Sequence, residues 1–82
     1  MSFKTIRQKL ASYLLRMLKQ QGDSPIQLDR SQQELADYFG VSRPSLAREL
    51  AHMQDDGLIK TDRKLVHILR KEDMMQVSAE SS

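Results

Sequence analysis

The sequence predicts a small, mainly α-helical domain closed by a β-hairpin, and three observations carry that expectation. Apolar residues recur at three- and four-residue steps up to Gly57. Two serines, Ser31 and Ser42, stand where helices would begin, and single glycines stand where helices would end. Beyond Gly57 the period changes to a strand-like one around a polar tip.

The first helix is expected over 3–20, with Phe3, Ile6, Leu10, Leu14, Met17 and Leu18 as its apolar stripe. Gly22 then suits a left-handed C-terminal cap. Pro25 keeps the next stretch out of the helix, and Ile26 and Leu28 alternate with polar residues, which allows a very short strand. A second helix follows over 32–39. Its start, Ser31-Gln32-Gln33-Glu34, is a capping box in which serine and glutamate satisfy each other's backbone N–H groups. Leu35, Ala36 and Phe39 form its apolar side, and Gly40 stops it. The third helix is expected over 43–56, capped by Ser42, with Pro44 in the first turn where a missing N–H costs nothing. Leu46, Leu50 and Met53 mark its buried stripe. Glu49 borders that stripe, so a basic partner on the first helix is expected. The runs Leu58–Thr61 and Leu65–Leu69 around Asp62-Arg63-Lys64 make a hairpin over 58–69. A short helix over 71–77 would bury Met74 and Val77, and 78–82 is expected to be a disordered tail.

Composition narrows the function. With 82 residues the chain makes one domain, too small for a deep catalytic cleft. There is no Cys, which excludes disulfides, thiolate metal sites and a thiol nucleophile. No apolar run could span a membrane and no secretory signal is present, so a soluble cytoplasmic domain with no membrane partner is expected. His52 and His67 have no third ligand at metal spacing, Asp55-Asp56 reads as a solvated helix end, and the three glycines fall singly rather than in a phosphate loop. No enzyme is expected.

Charge is more informative than its total of +2. Residues 1–22 carry +5 and residues 61–71 carry +3, whereas 23–41 and 72–82 each carry −3. Basic segments of this kind can turn one face toward a polyanion, although for the first segment alone a solvated helix face is the better reading.

Two short helices joined through Phe39-Gly40-Val41-Ser42, followed at once by a hairpin, describe a winged helix-turn-helix. The third helix is then its recognition helix. With Leu46, Leu50 and Met53 turned to the core, a period of about 100° per residue points Pro44, Arg48, Ala51 and Asp55 outward. Ser45, Ala47 and His52 flank them. A small, basic N-terminal half suits entry into a major groove, where arginine donates to guanine. An ordinary helical hairpin with solvated arginines fits the composition as well.

The segment from Ser31 to Leu50, SQQELADYFGVSRPSLAREL, closely resembles the DNA-binding half of the cyclic-AMP receptor protein / fumarate-nitrate reductase regulator (Crp/Fnr) family of bacterial transcription factors. The neighbourhood of Lys9–Leu15, and Gly57-Leu58-Ile59 with its basic hairpin, resemble the same family, so the likeness runs over residues 3–73. The resemblance implies sequence-specific binding of double-stranded DNA. It implies base contacts by Arg43 and Arg48, and phosphate contacts by Ser42, Ser45, Gln32, Gln33, Arg63 and Lys64. Ala47 and His52 are further candidates for DNA contact.

Pro44 departs from the pattern, standing where many members carry a base-contacting glutamate. It remains a candidate base contact, but one without a hydrogen-bond acceptor. Family members also carry an N-terminal effector-sensing barrel and a dimerisation helix. The chain is therefore expected to be the excised DNA-binding half of a longer regulator, with a natural single-domain relative as the alternative, and to hold no cofactor of its own. A cyclic nucleotide or other effector would bind the missing domain. Homodimerisation and contact with RNA polymerase are implied for the full-length protein. The competing class is a winged helix that binds protein rather than DNA, through Tyr38, Phe39 and the Met74-Met75 pair.

Overall fold

The computed structural model describes residues 5–79. Thr5 sets the first helix boundary. Its backbone is extended (φ −72°, ψ 166°), and its hydroxyl accepts from the Gln8 N–H while the Gln8 side chain accepts from the Thr5 N–H. This capping box makes Ile6 the first helical residue of α1 (Ile6–Gln21), so the helix does not continue back through Thr5 as expected. Phe3 lies outside the described residues. At the other end Gly22 takes φ 90° and its N–H returns to the Leu18 carbonyl.

The remaining elements are β1 (Ile26–Gln27), α2 (Gln32–Phe39), α3 (Arg43–Asp55), β2 (Ile59–Asp62), β3 (Leu65–Ile68) and α4 (Lys71–Ala79). Helix α3 ends one residue before the expected 56, because Asp56 is its C-cap. Helix α4 runs past the expected 77. Ser78 and Ala79 are helical, with the Ser78 hydroxyl donating to the Met75 carbonyl at 3.0 Å, so these two do not belong to a tail. The rest of that expected tail lies outside the described residues.

The hairpin is part of a larger sheet. β1 pairs antiparallel with β3, which also pairs with β2, giving the order β1-β3-β2. The Leu28 N–H adds a bond to the Lys64 carbonyl, and the Ile68 N–H one to the Ser24 hydroxyl. The short strand allowed by Ile26 thus becomes the wing's third strand. Its outer edge would expose the Gln27 backbone, but the Gln21 amide accepts from its N–H at 2.8 Å and donates to its carbonyl at 2.7 Å. One side chain so occupies the place of a further strand at this edge.

Register puts Ile26, Ile59, Val66 and Ile68 on the inner face and Gln27, Lys60, Asp62, Leu65 and His67 on the outer one. The inner face meets a core made from Leu10, Leu14, Leu35, Leu46, Met53 and Met74. Phe39 and Met74 are core residues, whereas Tyr38 and Met75 are about half exposed. No described helix is long and apolar enough to cross a membrane.

Candidate nucleic-acid interface

The turn between α2 and α3 is built from backbone bonds. Gly40 sits in the left-handed region (φ 71°, ψ 34°), with its N–H on the Asp37 carbonyl and the Val41 N–H on the Ala36 carbonyl. That is a Schellman closure, which needs a residue comfortable at positive φ. The Phe39 carbonyl, left over at the helix end, accepts from Lys9 Nζ of α1 at 3.1 Å. Lys9 therefore spends part of the basic N-terminal charge inside the fold. Two residues after Gly40, Ser42 caps α3 by accepting from the Ser45 N–H at 3.2 Å. Pro44 fits the first turn because its absent N–H would have had no helical partner.

This geometry lays out the face of α3. Leu46, Leu50 and Met53 are buried, while Arg43, Pro44, Arg48, Ala51, His52 and Asp55 are exposed. Ser45 and Ala47 are intermediate. The Ser42 and Ser45 hydroxyls bond one another at 2.8 Å, so they form one polar pair beside the helix N-terminus. Among the described residues neither Arg43 nor Arg48 forms an ion pair. Both guanidiniums are free to act as outward donors. The structure thus brings Ser42, Arg43, Pro44, Ser45 and Arg48 together in the first two turns of α3.

The phosphate candidates of α2 stand differently. Gln32 is exposed in the first turn, and Gln33 donates to Asp37 at 3.1 Å on its own helix. Beside them, the exposed Glu34 closes the Ser31 capping box. The Ser31 backbone N–H and hydroxyl hold the Glu34 carboxyl below the usual range, and the nearby charges of Lys64 and Arg30 act in the same direction. The Lys64 carbonyl accepts from the Leu28 N–H at 2.8 Å, which brings the wing tip to the segment that leads into α2.

The wing turn contains only Arg63 and Lys64, both exposed, between the paired Asp62 and Leu65. Arg63 has φ 57°, the one non-glycine residue at positive φ among those described. The wing is tied to α3 as well: Gln54 of α3 accepts from the Thr61 N–H of β2 at 3.2 Å. His67 faces the outer surface of the sheet opposite Lys60. Among the described residues, no three His, Cys, Asp or Glu side chains gather as metal ligands.

Sequence reasoning anticipated a basic partner for Glu49 without identifying it. It is Arg7, whose Nε donates to Glu49 Oε2 at 2.7 Å while Nη1 donates to Asp56 Oδ2 at 2.7 Å. Glu49 foremost, with Asp56, raises the Arg7 pKa further above its already high ordinary value, burial opposing them in part. The Asp56 contact had no sequence signal, because it depends on where the end of α3 crosses α1. A second hidden feature surrounds Tyr13. Its hydroxyl donates to Asp29 at 2.7 Å, its ring packs edge-on against Phe39, and Arg30 lies 4.4 Å above the neighbouring Tyr38 ring.

Three helices around a glycine turn, with a small antiparallel sheet carrying a two-residue tip, define a winged helix-turn-helix domain. Residues 8–77 match the Crp-like helix-turn-helix domain family, and the chain belongs to it. Over 70 residues it is 31% identical to a protein of Lacticaseibacillus casei described as a transcriptional regulator, flp, covering 85% of this chain. It spans about a third (32%) of the length of that curated relative. Among solved structures, FixK2 from Bradyrhizobium japonicum superposes with a TM-score of 0.83 at 18% identity, over 96% of this chain and 41% of that one. A chain from Eubacterium rectale described as a transcriptional regulator of the crp/fnr family gives 0.77 at 25% identity, over 92% of this chain and 34% of that one.

Proposed function

We propose that the chain binds double-stranded DNA sequence-specifically as the DNA-binding domain of a transcription regulator. Helix α3 enters the major groove and the wing tip lies along the phosphate backbone. The observation that carries this reading is the exposed start of α3, where Arg43 and Arg48 have no acidic partner among the described residues and stand beside a proline and two small polar residues. Family membership over residues 8–77 supports it independently.

Arg43 and Arg48 donate to base edges in this reading, each able to form a bidentate pair with guanine. Pro44 has no acceptor for a base amino group, and its ring offers an apolar contact to a thymine methyl instead. Ser42 and Ser45, with the helix N-terminus behind them, bind phosphate. Gln32, Gln33, Arg63 and Lys64 supply further backbone contacts, and Ala47 and His52 border the groove. The regulator acts as a homodimer on two half-sites, and contact with RNA polymerase belongs to that whole assembly in the cytoplasm of a bacterium.

A protein-binding winged helix remains the competing reading, since Tyr38, Leu69 and Met75 expose large apolar surfaces. Site selection from a randomised duplex pool, followed by titration at several salt concentrations, separates the two. Affinity should fall steeply with salt. Arg43→Ala or Arg48→Ala should cost about 1–3 kcal/mol on the selected site and relax preference at one base pair, while Lys64→Ala weakens all sequences alike. A pool that yields no preferred sequence, or binding indifferent to salt, would sink the proposal.

A further inference from the structure

One guanidinium on α1 reaches two acids on the recognition helix and its cap. Glu49 and Asp56 are seven residues apart, about two helical turns, and Arg7 contacts each at 2.7 Å. Leu46, Leu50 and Met53 already seat α3 in the core, and two polar contacts spaced along the helix add a constraint on its position along its axis that a single contact would not. The fork of an arginine can do this, whereas a lysine offers only a point charge.

Stability alone is a poor account of such a pair. The side chains of Arg7, Glu49 and Asp56 keep 30%, 21% and 53% of their exposure, and ion pairs this wet contribute only about 0–1 kcal/mol. Their geometry has more to offer. Recognition of base edges tolerates errors of only about 0.5 Å in the supporting scaffold.

We infer that Arg7 is a positioning residue for base recognition, orienting α3 through Glu49 and Asp56 without touching DNA itself. The inference rests on the DNA-binding function proposed above. Its test compares the selected duplex with a scrambled one, at several salt concentrations and well below the unfolding temperature of each variant. Arg7→Ala should weaken the selected duplex by about tenfold, the size of one misaligned base contact, with the scrambled duplex within about twofold and the salt slope unchanged. Arg7→Lys, which keeps the charge and the fold, should fall between wild type and Arg7→Ala in discrimination. In a Glu49→Gln/Asp56→Asn background, Arg7→Ala should change the ratio by less than about twofold, since its partners are already gone.

Equal weakening of both duplexes with a shallower salt slope would make Arg7 a phosphate contact and overturn the inference. A lowered melting temperature with discrimination intact would reduce Arg7 to a structural role and overturn it too. Wild-type protein that binds neither duplex would remove the DNA-binding reading and this inference together. Wild-type discrimination that Arg7→Ala and Arg7→Lys both preserve would remove this inference alone.

Discussion

Arg63 occupies a conformation that most side chains avoid. At φ 57° its Cβ crowds the backbone, at a cost of about 1 kcal/mol that glycine would not incur. The two-residue turn forces this, since Asp62 and Leu65 pair directly across it. Arginine at such a place trades conformational ease for a charge at the wing tip. Arg63→Gly should therefore leave the fold as stable or up to about 1 kcal/mol more stable, the gain tempered by the larger chain entropy of glycine when unfolded. The same change should weaken duplex binding and reduce the salt slope by about one. Thermal unfolding and a salt titration of the same variant check both halves. A clear loss of stability would mean that the Arg63 side chain packs into the wing. At this scale the sequence was informative wherever a residue type has one local use. Ser31, Ser42, Gly22 and Gly40 cap the helices that their positions announce. Thr5 and Gln8 carried the same signal, but the apolar side chain of Phe3 extended the stripe past it.

Elements meet through contacts that no local pattern encodes. Tyr13 on α1 is 6% exposed, yet its hydroxyl reaches Asp29 in the segment between β1 and α2. Burial first, then that hydrogen bond and the Asp29 charge, push the hydroxyl up to about 12 from 10. The neutral form is thus favoured in the folded state. A raised value means that the stabilisation is complete below pH 10 and is lost as pH climbs through about 12. Up to about 3 kcal/mol is at stake. Tyr13→Phe should flatten the decline in unfolding free energy between pH 10 and 12, while costing about 1 kcal/mol at neutral pH through the lost bond. Denaturant unfolding of both proteins across that range is the check, and parallel curves would refute the assignment. Neither Tyr13–Asp29 nor Arg7–Asp56 could be foreseen, because each joins elements whose crossing is decided by the packed core. The third strand was half visible. Ile26 and Leu28 alternated as a strand should, but only register against Val66 and Leu65 assigned Ile26–Gln27 to the wing.

At the scale of the whole fold, the described residues measure 33 × 26 × 25 Å, which bears on how two copies could share one operator. Half-sites of a two-fold operator lie about 34 Å apart, one turn of the duplex. Two domains of this size fit side by side at that spacing with at most their edges in contact. Little surface is then available for cooperation between isolated copies. A single copy should bind a half-site weakly and a palindrome almost independently at each half. Joining two copies changes this without any new protein–DNA contact, because the second binding event becomes intramolecular at an effective concentration near the millimolar range. Fusing the N-terminus of the chain to a short parallel coiled coil should therefore tighten binding to a palindrome by about 10²–10⁴-fold over the single copy. Inserting about five base pairs between the half-sites turns them to opposite faces of the duplex, and most of that gain should disappear. The measurement is a pair of titrations, fused and unfused, on both spacings at one salt concentration. If the fused protein gained equally on both spacings, the increase would reflect added charge on a polyanion rather than two recognition helices engaged in successive major grooves.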